Sequence, residues 1–397
     1  MAALAAPETQ TTGQGATAVR NRVLLLLVAA GTAVVLTLPL VSVAPNRLVS
    51  GTGVLLQGLG VDGLLWLGPP AVLLVLAVFV PATRLWQLVV AVSSVWLLTG
   101  LAWLAGREAA ANASVLSSLA RSSLGAGFWL LALLCWLAAA DALQRIGLSP
   151  AWRSLAHAAW WLPLLALLMS GGLDALSLLK EYSNRHDVFD AAGLRHLQIV
   201  AATLLPALLI GVPLGVLAAR SEGLSRPVFA VLNVIQTVPS IAMFALLIAP
   251  LGSLAAALPG WGLSGIGMLP AVIALTLYAL LPIVHGTASG LRQVPAGAIE
   301  SATGMGMTPT QVFWQVEVPL ALPVLLSGLR VTTVQIVGLA VVAALIGAGG
   351  FGALVFQGLA SSALDLVLLG VLPVVVLAVI ADAGFALAST ALRGPAR

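Results

Sequence analysis

Gly290-Leu-Arg-Gln-Val-Pro295-Ala-Gly-Ala-Ile-Glu300-Ser-Ala-Thr-Gly304-Met-Gly306-Met-Thr308-Pro-Thr-Gln311-Val-Phe-Trp-Gln-Val-Glu317-Val-Pro319 forms the body of a loop, 286–319, set between apolar runs at 267–287 and 320–346. Its punctuation predicts two short helices. Pro295 suits the first turn of a helix, where no N–H is lost, and Ala296 to Thr303 continue it until Gly304 permits a left-handed stop. That helix is about 12 Å long. Thr308 caps a second helix, with Pro309 at its first position and Gln311 placed to reach back to the cap backbone. Val312, Phe313 and Val316 fall on one side of it. Ala298, Ser301, Ala302 and Gly304 make a compact surface on which Glu300 is the one charge, a shape suited to a partner's groove.

The flanking runs decide the solvent. Hydrophobic residues make up 60% of 397 positions and charged residues 8%, too few charges for the surface of a soluble fold of this size. Lipid therefore takes the place of water, and helices are the expected element, because each backbone N–H and C=O must find its partner within the segment. Runs able to cross ~30 Å of hydrocarbon at ~20 residues each fall near 23–43, 64–81, 86–105, 124–140, 156–179, 197–219, 227–249, 267–287, 320–346 and 364–391. The expected fold is an all-α integral membrane protein of about ten transmembrane helices. Arg20 and Arg22 before Val23–Val43 superficially resemble a secretory signal with a cleavage point near Ala44. That run outlasts the roughly 7–15 residues of a signal's apolar segment, so an uncleaved first span is expected.

Charge sets the orientation. With the N-terminus inside, the inner segments collect Arg20, Arg22, Arg84, Arg145, Arg153, Arg220, Arg226, Arg292, Arg393 and Arg397. The outer segments hold Arg47, Arg107, Arg121, Lys180, Arg185 and Arg195, and Arg330 lies within a span. From Glu222 onward every cation outside the membrane is on the inner side, which puts both termini in the cytoplasm and the 286–319 loop with them.

The most polar stretch, Lys180-Glu-Tyr-Ser-Asn-Arg-His-Asp187 with Asp190, divides the chain into an N-terminal part, 1–180, an external connection, 181–196, and a C-terminal part, 197–391. At ~16 residues the connection is too short for a soluble domain, so ligand capture outside the membrane falls to another chain. The first part is rich in tryptophan (Trp66, Trp86, Trp96, Trp103, Trp129, Trp136, Trp152, Trp160 and Trp161), largely near predicted span ends, which reads as interfacial anchoring and not as a ligand cage.

Several functions are excluded. A phosphate-binding loop needs Gly-x-x-x-x-Gly-Lys-Ser/Thr, and the only lysine, Lys180, stands between Leu179 and Glu181. Any ATP, with its Mg, must therefore bind another polypeptide, and no cofactor is expected here. The pI of about 10.2 comes from a net charge of only +4, with no basic cluster, so nucleic acid is not a partner. Cys135 is alone and can form neither an internal disulfide nor a thiolate metal site. His157, His186, His196 and His285 lack ligand spacing, so no metal and no catalytic residues are expected. Asp365 and Asp382 are the candidate acids for ion coupling, but both lie toward predicted span ends.

Within the spans, Gln236, Thr237, Pro239 and Ser240 interrupt the seventh with polar groups and a backbone break, tolerated at depth when they face protein or a cavity. They are the candidate translocation path, with helix packing as the alternative. Arg330 sits about 15 Å into the ninth span, where its charge must face the bundle interior or snorkel, and pairing with another group is the expected reading. Gly347-Ala-Gly-Gly-Phe-Gly352 reads as a tight turn on the outer side.

Glu300-Ser301-Ala302, Gly304 and the later Glu317-Val-Pro319-Leu-Ala-Leu-Pro323 resemble the EAA loop of type I ATP-binding-cassette (ABC) importer permeases. The likeness is to the osmoprotectant branch, which carries glycine betaine, choline, carnitine or proline betaine. It extends through Gly211-Val-Pro-Leu-Gly215, Asn233-Val-Ile-Gln-Thr-Val-Pro-Ser240, Leu280-Leu-Pro-Ile-Val284 and Ile346-Gly-Ala-Gly-Gly-Phe-Gly352. Ser301 departs from the family's alanine but is nearly as small. The resemblance implies a five-helix, MetI-like permease core in the C-terminal half, preceded by a five-helix extension found only in longer members. It also implies that Glu300, Ser301, Ala302, Gly304, Gly306, Thr308, Glu317 and Pro319 belong to a coupling loop seated in a cytoplasmic ATPase dimer. A second permease, identical or a paralogue, and an external substrate-binding protein would complete the assembly in a bacterial inner membrane. Alternatives are an ion-coupled secondary transporter and an ABC permease for another small solute such as an amino acid.

Overall fold

The computed structural model describes residues 19–46, 49, 51–115 and 120–392. Arg47, Arg393 and Arg397 of the charge distribution lie outside the described residues. The chain forms two compact units, Met1–Lys180 and Glu181–Arg397.

In the first unit, α1 (Arg22–Thr37) leads into β1 (Val41–Ala44) and β2 (Thr52–Val54), then α2 (Val61–Phe79), α3 (Arg84–Val115), β3 (Arg121–Leu124), α4 (Ala126–Ile146), α5 (Pro150–Trp160) and α6 (Leu162–Met169). The first predicted run, 23–43, is thus helical only to Thr37. Pro39 bars its neighbour from helical backbone, and the alternating Val-Ser-Val-Ala that follows becomes the central strand of a three-stranded antiparallel sheet, β2-β1-β3. Val41 faces Val54 on one side and Leu124 on the other. Amide bonds from Gly125 to the Leu40 carbonyl (2.8 Å) and from Gly127 to the Pro39 carbonyl (2.9 Å) tie the start of α4 to the end of α1. The core gathers on α3, where Leu98, Leu101, Leu104 and Ala105 are buried.

The predicted span at 156–179 is not one helix. Pro163, which suits only the opening turn of a helix, stands at the start of α6, and Gly171, with φ of 76°, turns the chain after Met169. The chain then passes into α7 (Ser177–Asn184). The polar stretch 181–196 is itself mostly helical: α7 covers its start and α8 (His186–Arg220) the rest, with Asp187 in the first turn of α8, where a carboxylate suits the positive end of the helix dipole.

The second unit continues with α9 (Glu222–Thr237), α10 (Ser240–Ala257), α11 (Met268–Arg292), α12 (Ala296–Gly304), α13 (Pro309–Val312), a π-helical turn (Phe313–Glu317), α14 (Val318–Val342), α15 (Phe351–Ala360) and α16 (Leu364–Leu392). Helix α11 is the hub, packed between α8 and α14. The approach needs glycine: a Cβ on Gly215 of α8 would lie 2.5 Å from the Thr287 Cβ, and one on Gly286 of α11 would lie 3.1 Å from the Gly328 Cα of α14. Small residues let backbones close in where lipid supplies no hydrophobic force between helices.

Among the described residues seven helices are long and apolar enough to cross a membrane, and three shorter apolar helices accompany them: α1, the Leu65–Phe79 part of α2, and α15. The fold class is therefore the expected all-α membrane one, with the small sheet as an addition. The 347–352 stretch is more than a turn, since it opens α15, which no apolar run predicted as a separate helix.

Candidate functional site

Helix α12 begins at Ala296, one residue later than the sequence suggested, with Pro295 serving as its cap. Gly304 ends the helix in ordinary conformation, and Gly306, with φ of 83°, makes the left-handed reversal instead. Thr308 then accepts the Gln311 amide at 3.4 Å while the Gln311 side chain takes the Thr308 N–H at 2.8 Å, completing the capping box. Ala302 alone of α12 is buried. Glu300, Ser301, Gly304 and Met305 are exposed, and the Ser301 hydroxyl donates to the Gly297 carbonyl at 2.7 Å. That internal bond makes serine behave as a small residue on the outer face.

The second helix is not a separate short one. It runs on through the π turn into α14, so Pro309–Ile346 is a continuous 38-residue helix. The reason is Pro319, which has no N–H and whose ring would clash with the carbonyl four residues back in an α-helix. The wider turn, in which the Val318 N–H reaches the Phe313 carbonyl, removes that conflict. Helix α11 also persists to Arg292, so the loop proper starts at Gln293 and not at 286.

Two tethers fix this elbow to the end of α8. Arg220, the last residue of α8, forks onto both carboxylate oxygens of Glu317, one at 3.1 Å and the other closer, and stacks 5.6 Å from the Phe313 ring. Glu317 is buried, at 5% exposure, and so faces inward and not toward a partner. Arg292, closing α11, donates to the Ala218 carbonyl at 2.6 Å and the Ser225 hydroxyl at 2.9 Å. Sequence reasoning counted Arg220 and Arg292 only as topology charges. It also passed over Met305 and Trp314, exposed at 76% and 63%, which add apolar contact area to the elbow.

The predicted break at 236–240 is present: α9 ends at Thr237 and α10 starts at Ser240. Tyr278 of α11 supports it from both ends of its structure. Its carbonyl accepts the Gln236 side-chain amide at 2.6 Å, and its hydroxyl donates to the Val238 carbonyl. Gln236 therefore holds the break, while Thr237 and Pro239 are exposed beside it. Arg330 donates through two nitrogens to Asp382, at 2.5 and 2.6 Å, which commits one of the two candidate coupling acids to an ion pair. Buried His196 meets the Val337 carbonyl at 3.1 Å, and among the described residues no cluster of His, Cys, Asp or Glu could hold a metal.

Residues 20–179 match the N-terminal domain of the ABC transporter permease YehY, and residues 211–394 match the binding-protein-dependent transport system inner membrane component. The osmoprotectant import permease protein OsmW of Salmonella typhimurium strain LT2 is 42% identical, over 50% of this chain and 91% of its own length. The carnitine transport permease protein OpuCB of Listeria monocytogenes is 39% identical, over 47% and 80%. The choline transport system permease protein OpuBB of Bacillus subtilis strain 168 is 36% identical, over 50% and 85%. Among solved structures, the MetNI methionine ABC transporter in an inward-facing conformation aligns with a TM-score of 0.47 and 23% identity, over 53% of this chain and 98% of that one. On the identity and coverage of these relatives, the chain belongs to the family of binding-protein-dependent transport system inner membrane components, the permease subunits of ABC transporters.

Proposed function

We propose that this chain forms the translocation path of an ATP-driven importer for a quaternary-ammonium osmoprotectant, such as glycine betaine, choline or carnitine, delivered by an external binding protein. The observation that carries the proposal is the exposed elbow at 296–311, anchored to the ends of α8 and α11, in a chain whose relatives import or transport these solutes. Glu300, Ser301, Ala302, Gly304, Gly306 and Thr308 shape the surface that docks in a cytoplasmic ATPase dimer, where ATP and Mg bind. Glu317 and Pro319 act behind that surface, holding the elbow to the bundle. Both termini and the elbow face the cytoplasm.

Two permease chains, identical or paralogous, rock against each other around a path bordered by Thr237, Pro239 and Ser240, with Gln236 keeping the helix break in shape. Uptake of radiolabelled glycine betaine, choline and carnitine by cells carrying the chain, its ATPase and its binding protein tests the assignment. Accumulation of at least one of them should vanish when the ATPase is deleted or Glu300 is replaced by arginine. Uptake that persists without any ATPase, or none for all three solutes, would refute it.

A further inference from the structure

We propose that the N-terminal unit holds one acyl chain of a membrane phospholipid in a cleft between α1, α2, α3 and α4. The cleft has a volume of about 300 Å³. On α1 it is lined by Leu24, Leu27, Val28, Gly31, Thr32 and Val35, at the three- and four-residue spacing by which a helix turns one face to a core. That face runs for about 16 Å along the helix axis. Leu67 and Leu74 of α2, Leu101 of α3, and Leu131 and Ala138 of α4 stand across from it. A space of that volume drawn out over that length is long and narrow, the shape of a single chain and not of a ring system.

The core of this unit falls into two clusters, and the cleft lies between them. Leu67, Leu101 and Leu131 belong to one, Leu24, Leu74 and Ala138 to the other, and all six line the cleft. Protein interiors pack as densely as organic crystals, so a gap of this size leaves its walls without the contacts that hold a core together. Water is a poor filler, because a buried water needs about three polar partners. Among the described residues that line the cleft, Thr32 and Cys135 alone bring a side-chain heteroatom. The Thr32 hydroxyl already donates to the Val28 carbonyl at 2.9 Å, and a thiol is a weak donor. An engineered apolar cavity of about 150 Å³ stays dry and takes up benzene; this larger one suits a longer piece of hydrocarbon.

The way in decides which hydrocarbon. Toward the start of α1 the backbone shuts the cleft, where the Arg20 and Asn21 N–H groups bond the Val78 carbonyl near the end of α2, at 3.0 and 3.1 Å. Toward the other end Leu56, the first residue of a 3₁₀ turn at Leu56–Leu59, stands in the wall. The cleft opens sideways, between α1 and α2, at Thr32, Ala71 and Val75, which line it and are exposed. Val72 and Leu76 beside that opening are exposed as well. A sideways mouth with apolar flanks on two apolar helices leads into the hydrocarbon of the bilayer, where phospholipid chains are the solvent. Gly68 makes the site testable: a Cβ there would meet nothing within 4 Å, so a larger side chain can take the place of the lipid.

The test needs neither ATPase nor transport, so its failure is distinct from failure of the importer assignment. The purified full chain is placed in nanodiscs containing phosphatidylethanolamine with a diazirine on one acyl chain, irradiated, and mapped by mass spectrometry. Leu131 and Cys135, 8% and 7% exposed, are out of reach of lipid that merely surrounds the protein, so cross-links there report a chain inside the cleft. Such cross-links are expected, saturating at one lipid per protein chain. Gly68→Leu with Ala71→Leu should reduce them about tenfold or more by filling the space, while cross-links at exposed Val92 of α3 stay unchanged. In detergent, added phospholipid should raise the Tm of the natural chain and not that of the filled variant. Should the double variant fail to fold, Ala71→Leu alone, at the mouth, carries the same expectation. Absence of cross-links at both buried positions in the natural chain, unchanged cross-linking or an equal gain in Tm in the filled variant, or an isoprenoid quinone recovered from the purified chain in place of a phospholipid would overturn the proposal.

Discussion

Glu317 stands in the stretch that resembles the coupling loop, yet its side chain turns inward. Its place in the EAA stretch suggested a docking surface, but it is buried and held by the guanidinium fork of Arg220. Glu317→Gln should lower stability by about 2 kcal/mol, the range for hydrogen bonds to charged groups, read as a lowered Tm of the purified chain. Arg220→Lys should lose much of the same, because an ammonium cannot form the bidentate contact. Glu300, exposed and outside this network, should behave oppositely: Glu300→Ala leaves Tm unchanged and reduces ATP-driven uptake. The capping box of Thr308 and Gln311 was legible because its partners lie three residues apart. The Arg220–Glu317 pair joins residues 97 positions apart, and nothing local in the chain announces it.

Among the elements, the π turn at Phe313–Glu317 links the elbow to α14. Its extra residue sets how α12 and α13 are rotated relative to the span. Deleting Gln315 should remove the room that the turn makes for Pro319, whose ring then meets the carbonyl four residues back, and so disturb the seat of the elbow. The expected outcome is a chain that folds, keeps Glu317 near Arg220 and no longer co-purifies with its ATPase; retention of the ATPase would contradict it. The long apolar stretches that became α3, α4, α8, α11 and α14 were readable because composition and length alone specify them. The run at 156–179 was misread because hydropathy averages over Pro163 and Gly171, whereas the backbone responds to each singly. The small sheet was hidden for a related reason. Val41–Ala44 is too short to separate from the apolar helix before it, and its partner β3 lies 80 residues on.

The molecule as a whole can be oriented through its single lysine. Lys180 donates to the Ala120 carbonyl at 3.2 Å, and burial, with the positive charge of Arg121 beside it, holds its ammonium below the usual lysine range. A membrane-impermeant amine reagent applied to intact spheroplasts should label Lys180, and at a lower pH than it labels an ordinary lysine. Labelling only after lysis would reverse the proposed topology. Association is testable through α10, which is 11% buried over its 18 residues, against 56% for the most apolar 18 residues of α11. If a second permease covers that helix, cysteine at Ile248 should give a disulfide-linked pair under mild oxidation, with buried Cys135 silent; random, dilution-sensitive coupling would argue against it. The unbroken helix from Pro309 to Ile346 has a last consequence. At about 1.5 Å per residue it is roughly 57 Å long, and its helical backbone runs without a break from the elbow to the far end of the span. Fluorophores near its two tips should therefore report a stroke with one shared time constant and no lag between faces.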